Sequence, residues 1–383
     1  MTDSPAKTGP LSGVKVVELA GIGPGPYAGQ LLADMGADVV VIDRPGNAIV
    51  PKGVDGRGKR SIVLDLKKPE AVEALLKLIA TADVLIEGLR PGVTERMGVG
   101  PEACEAVNPR LIYGRMTGWG QSGPWSQMAG HDINYIGMTG MLNATGNADR
   151  PPPPPLNMVG DFGGGSMFLV TGILAALLER ATTGKGTVVD AAIVDGTHSL
   201  MSFVHGMAGM GLWSTAREAN LLDGAAPYYR CYTTSDGKFM AVGCIEPQFF
   251  AVMMERLPID AEAYGHQLAR AKWPEQHKML EDIFAAKTRD EWEAIFALTD
   301  ACVTPVLDYV EAAAHPANAE RNAVVADGKW LHPQIAPRLS GHAQADSFVI
   351  ATKGADYEAV LAEAGLATDA ITELVSAGAV ITG

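Results

Sequence analysis

Cysteine is scarce in this chain, and its few cysteines are far apart. Cys104, Cys231, Cys244 and Cys302 are the only 4 among 383 residues, and no two of them form a Cys-x-x-Cys pair. Such spacing excludes the usual zinc-binding knuckle and the disulfide framework of a small secreted domain. We expect the four side chains to be small apolar groups that are mostly buried.

Positive charge is also in short supply. Lys and Arg number 30 against 44 Asp and Glu, which gives a formal net charge of −14. The resulting field repels nucleic acid and anionic membrane surfaces, so we predict no nucleic-acid partner. An anionic ligand is still compatible with this charge where Arg, Lys and helix N-termini gather locally.

Long apolar runs are missing as well. The longest run, residues 168–178, is too short to span a bilayer, and the N-terminal segment MTDSPAKTGPLSG lacks the apolar core of a signal peptide. The sequence therefore predicts a cytoplasmic protein without a membrane span. Hydrophobic residues make up 47% and charged residues 19% of the chain, which is the balance of a well-packed globular protein.

Short β-branched runs alternate with helical patterns in the first third of the chain. The strand-like runs are VKVVEL (14–19), DVVVID (38–43), SIVLDL (61–66), DVLIEG (83–88) and LIYGRM (111–116), with helical spacing around 27–35 and 69–81. Because each run is almost continuously apolar, we expect strands covered on both faces, as in a parallel sheet with helices on each side. The prediction is a doubly wound α/β domain.

The pattern changes after Trp119. Five prolines at 151–155 favour a stiff spacer, a long helix is predicted from about 164 to 182, and the Met-rich segment 195–213 is typical of a buried or interface helix. The run YYRCYTTSDGKFMAVGCI predicts a hairpin that turns at 235–237. We predict the first part of a large α/β domain over 1–190, linker helices over 191–221, a small α+β domain over 222–315 and a return to the large domain over 316–383.

The segment GIGPGP at 21–26 follows a predicted strand and opens a helix, and Asp43 ends the next strand. This arrangement is similar to a dinucleotide-binding fingerprint. The third glycine of that fingerprint would fall at position 26, where a proline stands, and Pro24 and Pro26 lack the N–H groups that a pyrophosphate requires. A tight strand-to-helix turn fits this segment better than a nicotinamide site.

Basic residues follow several of the predicted strands. Arg44 comes after the second strand, Lys67 after the third, and Arg90 and Arg96 after the fourth. Ligands of open α/β sheets bind beyond the carboxyl ends of the strands, so these cations together favour a phosphate clamp. Each of them alone is equally typical of a solvated surface charge.

Two segments carry candidate catalytic side chains, GHDINY at 130–135 and NMVGDFGGGS at 157–166. Spacing does not single out His131 among 8 histidines. Asp161 stands ahead of glycines and a long apolar helix, which is the position of an N-cap, where the helix amides favour a charged carboxylate. An ordinary cap explains that position, but a glycine triplet destabilises a helix start and so favours the close approach of a ligand.

Several longer stretches are more distinctive: LSGVKVVELAGIGPGPYAGQLLADMGADVVVIDRPG, LIEGLRPGVTERMGVGPE, RMTGWGQSGP, AGHDINY, PLNMVGDFGGGSM, DGAAPYY, AVGCIEPQF and TDACVTPVL. Through them the chain resembles, over nearly its whole length, the α-methylacyl-CoA racemases of the family III CoA-transferase superfamily. This resemblance implies an interlocked homodimer, with the active site between the large domain of one subunit and the small domain of its partner.

The resemblance also implies the residues of the site. His131 and Asp161 correspond to the catalytic pair, and Glu246 corresponds to a glutamate that assists the histidine. The implied contacts to an acyl-CoA thioester are Arg44, Leu64, Asp65, Leu66, Lys67, Gly88, Leu89, Arg90, Arg96, Gly130, Ile133, Asn134 and Tyr135.

The implied reaction inverts the α-carbon of a 2-methylacyl-CoA thioester by proton transfer through an enolate. On this hypothesis His131 and Asp161 serve opposite faces of the enolate in opposite protonation states. The backbone N–H of Asp132 donates to the enolate oxygen, and Asn157 orients the Asp161 carboxylate. We expect no metal and no cofactor, because coenzyme A is part of the substrate.

Three other functions remain open at this point. A family III CoA transferase uses the aspartate at position 161 as a nucleophile that forms a covalent acyl intermediate. A nicotinamide-dependent oxidoreductase requires the imperfect glycine motif at 21–26 to work. A non-catalytic acyl-CoA-binding protein requires the fold alone.

Overall fold

The structure is a computed structural model that describes residues 8–46 and 55–382. The chain forms two compact units. The large unit takes in Met1–Thr139, Pro155–Ser202 and Val324–Gly383, and the small unit takes in Gly140–Pro154 and Phe203–Ala323. The chain therefore leaves the large unit twice and returns to it each time.

The strands of the described residues are short. They are β1 (Lys15–Leu19), β2 (Asp38–Asp43), β3 (Arg60–Leu64), β4 (Val84–Glu87), β5 (Ile112–Thr117), β6 (Thr187–Ala192), β7 (Arg230–Thr233), β8 (Phe239–Val242), β9 (Val303–Val306), β10 (Val324–Asp327), β11 (Trp330–Pro333) and β12 (Val380–Ile381).

The helices of the large unit are Pro24–Asp34, Pro69–Ile79, Val93–Arg96, Pro101–Val107, Asp132–Met138, the π-helical segment Met158–Ser166, Met167–Thr183, Ile193–Leu200, Tyr357–Glu363 and Thr368–Ser376. Those of the small unit are Ser202–Gly209, which begins at the boundary, Pro247–Arg256, Ala261–Tyr264, the 3-10 turn Arg270–Lys272, Trp273–Phe284, Arg289–Phe296, Tyr309–Ala314 and Pro316–Glu320.

A seven-stranded sheet forms the centre of the large unit, in the order β12-β3-β2-β1-β4-β5-β6. Strands β1 to β6 are parallel, and β12 pairs antiparallel with β3. The register sets Val17 of β1 beside Val40 of β2 and beside Leu85 of β4. These pairings confirm the predicted parallel sheet and the mixed α/β fold of the large unit.

Two apolar cores cover the two faces of this sheet, because successive strand residues point to opposite sides. Val17 and Ile42 lie in the core that also contains the helix Pro69–Ile79. Val16 and Val39 lie in the second core. That second core also holds apolar residues of the helices Pro24–Asp34 and Met167–Thr183. Because β1 to β6 are parallel, their carboxyl ends all lie at the same edge of this sheet, whose two faces are covered.

The helix that carries Asp161 begins earlier than the sequence predicted. The π-helical segment Met158–Ser166 runs directly into the α-helix Met167–Thr183, and Asn157 is the N-cap. The predicted start near residue 164 and the prediction of Asp161 as N-cap are therefore wrong. Glycines at 163–165 suit a wide π-helical turn, because they lack side chains that would keep neighbouring segments away.

Two further predictions need correction. Strand β6 was not predicted, because half of its side chains are exposed and polar residues interrupt its apolar pattern. The Met-rich segment forms two helices, Ile193–Leu200 and Ser202–Gly209, instead of one. No residue of the second is buried in this chain, so the buried alternative is wrong for that helix and the interface alternative stays a prediction.

One helical segment, Met158–Thr183, is long and apolar enough by length and composition to cross a bilayer. The apolar stretch is therefore longer than the run 168–178 that was predicted to be too short to span a bilayer. Leu169, Val170 and Ile173 of this segment are buried in the second core of the large unit. Helices in the cores of globular proteins commonly have the same composition, so the segment is weak grounds for a membrane span.

The small unit contains the three-stranded antiparallel sheet β7-β8-β9. The predicted hairpin is confirmed: β7 and β8 are joined by a turn in which Gly237 has a φ of 74°. Aromatic rings fill the core, including Tyr232 stacked on Phe284 at 5.1 Å. Cys231 and Cys302 are exposed and Cys104 and Cys244 are buried, so the expectation of mostly buried thiols is wrong for two of four.

Candidate active site

The candidate coenzyme A contacts follow the carboxyl ends of neighbouring strands. Arg44 follows β2, Leu64 ends β3 and precedes Asp65, Leu66 and Lys67, and Gly88, Leu89 and Arg90 follow β4. Because β2, β3 and β4 are parallel, these residues share one edge of the sheet, where ligands of open α/β folds bind. Lys67 is exposed, as are Arg44, Arg90 and Arg96, so their cationic ends are available to an anion.

A buried ion pair fixes the backbone of the loop after β4. Glu87 is fully buried, and its carboxylate accepts the backbone N–H of Leu89 at 2.7 Å and the Nε–H of Arg115 at 2.9 Å. Arg115 also bridges to Glu95 at 2.8 Å. The Leu89 backbone therefore has a fixed position, although the neighbouring Arg90 side chain is exposed. Sequence reasoning missed Glu87 and Arg115, whose signal is charge inside otherwise apolar strands.

The segment Gly130–Tyr135 forms the start of a short helix. His131 is the N-cap of the helix Asp132–Met138, and its backbone N–H donates to the Asn134 side chain at 3.0 Å. The side chain of His131 is exposed, as are those of Ile133 and Asn134. As the first residue of the helix, Asp132 has a backbone N–H without an intrahelical acceptor. That N–H group is suited to an incoming oxyanion.

Tyr135 holds the loop before this helix. Its hydroxyl donates to the Gly130 carbonyl at 2.5 Å, and its ring packs edge-on against Trp119 with centroids 4.8 Å apart. Burial and the negative charge of Asp161 raise the pKa of Tyr135, while Arg90 opposes them. The tyrosine is therefore close enough to the candidate base at 161 and to the candidate coenzyme A contact at 90 for both charges to act on it.

The π-helical segment Met158–Ser166 places the carboxyl of Asp161 beside the same helix start. The backbone N–H of Asp161 donates to the Asp132 carboxylate at 2.7 Å. The side chain of Asn157 lies close enough to the Asp161 carboxyl to lower the pKa of that group. The structure therefore brings together four of the candidate catalytic residues in the large unit, namely His131, Asp132, Asn157 and Asp161.

The surroundings of Asp161 favour its protonated form. Burial and the charge of Asp132 raise the pKa of Asp161 to about 6, against the lowering effects of Asn157 and of His131. A carboxyl group with a pKa of about 6 accepts a proton and also donates one at neutral pH. Such a group is suited to acid–base chemistry.

The strand-to-helix turn at 21–26 also belongs to the site. Gly23 has a φ of 72°, and a Cβ atom on it would lie 3.2 Å from the Asp161 carboxylate oxygen. The turn therefore forms one wall beside Asp161. The sequence predicted a tight turn there but not that the turn belongs to the site. The available signal was its position directly after β1, at the ligand edge of the sheet.

Residues 11–345 match the family described as CoA-transferase family III. The chain belongs to this family. Alpha-methylacyl-CoA racemase from Mus musculus is 49% identical over 331 residues, which cover 86% of this chain and 86% of that protein. The protein of the same name from Homo sapiens is 44% identical over 370 residues, which cover 95% and 96% of the two chains.

A solved structure of a CaiB/BaiF family protein from Brucella suis has the same fold. It is 27% identical, covers 93% of this chain and 99% of its own chain, and superposes with a TM-score of 0.81. The predicted mixed α/β fold with a large parallel-sheet domain is thereby confirmed for this family III chain.

Glu246 lies apart in sequence from the other candidates of this family III chain, in the small unit. It is exposed and is the N-cap of the helix Pro247–Arg256. Burial raises the pKa of Cys302, and the charges of Glu246 and Asp300 add to that effect. The Glu246 side chain therefore lies at the surface of the small unit.

No cluster of three or more His, Cys, Asp or Glu side chains suited to a metal ion occurs among residues 8–46 and 55–382. The candidate groups at the ligand edge are cations, backbone N–H groups and the carboxyls of Asp65, Asp132 and Asp161. That set fits an anionic organic ligand and proton transfer.

Proposed function

We propose that this family III protein is an α-methylacyl-CoA racemase, an isomerase that inverts the α-carbon of 2-methylacyl-CoA thioesters. One observation carries the proposal: an exposed imidazole at 131 and a carboxyl at 161, whose pKa is about 6, are held together by one helix start. The similarity to two proteins of that name supports it.

The reaction breaks the α C–H bond and moves its electron pair into the thioester carbonyl, which gives a planar enolate. One of the two groups, His131 or Asp161, accepts the proton on one face, and the other donates a proton on the opposite face. For the opposite enantiomer the two groups exchange roles. The pair must therefore hold one proton at the start of each turnover, whichever enantiomer binds.

The remaining candidates stabilise or orient the reacting groups. The backbone N–H of Asp132 donates to the enolate oxygen at the helix start. Asn157 is proposed to orient the Asp161 carboxyl, whose pKa it lowers. In the interlocked dimer that the resemblance implies, Glu246 of the partner subunit, from its small unit, is proposed to assist His131 by accepting its second ring N–H, which stabilises the imidazolium form.

The coenzyme A part of the substrate is proposed to bind along the ligand edge of the sheet. The guanidinium groups of Arg44, Arg90 and Arg96, with Lys67, contact its phosphates, because exposed cations at one edge offset the overall negative charge of the protein. Backbone groups at Leu64–Lys67 and Gly88–Leu89 complete the contact. Coenzyme A is part of the substrate, and no cofactor enters the reaction.

We extend the proposal to an interlocked homodimer located in the cytoplasm. The support for a dimer is exposed apolar surface: Leu178 is 75% exposed, Phe203 56% and Met210 65%. Phe203 lies in the helix Ser202–Gly209 and Met210 follows it, and an apolar helix with no buried residue is suited to cover by a second chain. The family resemblance supplies the interlocked form, and the negative charge of the chain favours a protein that stays off anionic membranes.

A family III CoA transferase is the nearest alternative. In that reaction the carboxylate at 161 attacks the thioester carbonyl and forms a mixed anhydride while the coenzyme A thiolate leaves. Such a reaction has no need of a second base, whereas this chain has a histidine at 131 and a glutamate at 246 that suit proton transfer. These two residues favour the racemase.

The test is incubation of one enantiomer of a 2-methylacyl-CoA ester with the wild-type protein in heavy water. We expect deuterium at the α-carbon together with loss of enantiomeric excess, and no hydroxylamine-trapped adduct on Asp161. Coenzyme A transfer to a carboxylate acceptor with a trapped adduct would support the transferase instead. Tight binding without deuterium uptake would leave a binding protein.

A further inference from the structure

The carboxylate of Asp132 lies directly behind Asp161. Asp132 is only 5% exposed, and its Oδ2 accepts the backbone N–H of Asp161 at 2.7 Å. This contact joins two helices through residues that are 29 positions apart in the chain. The proposed role of Asp132 in catalysis uses its backbone N–H, so the side chain requires a separate explanation.

The neighbouring backbone leaves room for this carboxylate and for little else. A Cβ atom on Gly160 would lie 2.6 Å from Asp132 Oδ2 and 2.9 Å from Cγ2 of Ile136. The absence of a side chain at position 160 therefore allows the π-helical segment to close onto the helix Asp132–Met138. The approach is too tight for a longer acid at 132.

The second carboxylate oxygen of Asp132 lowers the stability of the folded protein. Its Oδ1 is buried and has no hydrogen-bond partner among the described residues. A buried carboxylate oxygen without a partner lowers stability, and a neutral asparagine at 132 would supply the same acceptor for the Asp161 N–H at lower cost. A role in holding the Asp161 backbone therefore does not explain why residue 132 is a charged aspartate and not an asparagine.

We infer that Asp132 is a positioning residue for Asp161: its carboxylate fixes the backbone of the base and supplies the negative charge that favours a proton on that base. The inference rests on the proposed racemase function. An ordinary aspartate holds almost no proton at neutral pH. The charge of Asp132 therefore explains how a carboxyl can act as the partner of an imidazole in this site.

The charged groups around Asp161 are few. The helix Asp132–Met138 contributes Asp132, His131 at its cap and Tyr135. The turn before the helix Pro24–Asp34 contributes Gly23. The helix Ile193–Leu200 carries Asp195 and His198, but neither is among the groups that shift the pKa of Asp161. Asp132 is thus the anion whose charge raises the pKa of Asp161, in addition to burial.

The deciding experiment is the pH dependence of kcat/KM for the Asp132→Asn variant. The active pair carries one proton, so activity falls at low pH, where both groups are protonated. Removal of the Asp132 charge lowers the pKa of Asp161, and the acidic limb is expected to move down by about 0.5 to 1 pH unit for both enantiomers. The amide still accepts the Asp161 N–H, so the maximal kcat stays within about tenfold of wild type.

Asp132→Ala removes the acceptor as well as the charge. We expect its kcat to be at least about tenfold below that of Asp132→Asn, with KM little changed, because the base is displaced while the substrate contacts remain. Asp190→Asn is the matched control, since the Asp190 carboxylate also accepts a backbone N–H, that of Gln121 at 3.4 Å. Its acidic limb should stay at the wild-type pH.

An Asp132→Asn variant with the wild-type acidic limb would overturn the inference, as would equal kcat values for the Asn and Ala variants. Failure of the proposed function is a separate result, because it is seen in the wild-type protein as absence of α-deuterium uptake.

Discussion

His131→Ala and Asp161→Ala are each expected to lower the rate of inversion by at least about a thousandfold, because each removes one of two proton-transfer groups that act as a unit. KM should change far less than kcat, since the cations of the ligand edge are untouched. The measurement is the change of optical rotation of a single 2-methylacyl-CoA enantiomer over time.

Matched controls separate chemistry from folding in this experiment. His342 is an exposed histidine of the large unit, and Asp190 is a carboxylate on β6, at the edge of the same sheet. His342→Ala and Asp190→Asn should keep near-normal inversion. Turnover within about tenfold of wild type in either the 131 or the 161 variant would exclude that residue from the proposed pair.

Gly196→Ala is expected to destabilise the large unit by about 3 kcal/mol or more, as overpacking against fixed backbone does. A Cβ atom at position 196 would lie 1.8 Å from the carbonyl oxygen of Gly164, and one on Gly164 would lie 2.5 Å from Oγ1 of Thr197. The helix Ile193–Leu200 therefore touches the π-helical segment backbone to backbone. Urea unfolding should show a lower midpoint.

Gly25→Ala is the control for that substitution. Gly25 lies in the helix Pro24–Asp34, and a Cβ atom on it would have no neighbour within 4 Å. Alanine there should leave the free energy of unfolding unchanged or raise it by up to about 1 kcal/mol, because alanine has the higher helix propensity. Equal stability of the 25 and 196 variants would contradict the backbone contact.

The parallel sheet was predictable because most residues of β1 to β5 are apolar and buried on both faces, and many of them are β-branched. Strand β6 was not, because Thr187 and Val188 at its start are exposed, and pairing with β5 decides its conformation. Strand β12 has only two residues, and long-range pairing with β3 alone defines it.

The π-helical segment is the clearest failure of local reasoning. Glycines at 163–165 have poor helix propensity, so the sequence predicted a helix that begins after them. Contact with Gly196 and the acceptor at Asp132 stabilise the helix from Met158 onward. Neither contact is local in sequence, and propensity therefore gave the wrong start.

The candidate site was predictable in part. The order of cations after successive strands predicts a ligand edge, because parallel strands end on the same side. The partnership of His131 with Asp161, and the carboxylate of Asp132 behind it, depend on how the helix Asp132–Met138 packs against a segment that follows about 20 residues later. Spacing carries no signal for such packing, and recognition of the GHDINY and GDFGGG stretches was required.

The most direct test of two facing bases is stereospecific hydrogen exchange in the single-base variants Asp161→Asn and His131→Asn. Each enantiomer of a 2-methylacyl-CoA ester is incubated separately in heavy water, and deuterium at the α-carbon is measured by mass spectrometry. We expect each variant to exchange one enantiomer without inverting it, and the two variants to exchange opposite enantiomers. Exchange of the same enantiomer by both variants, or continued inversion by either, would contradict two bases on opposite faces of one enolate.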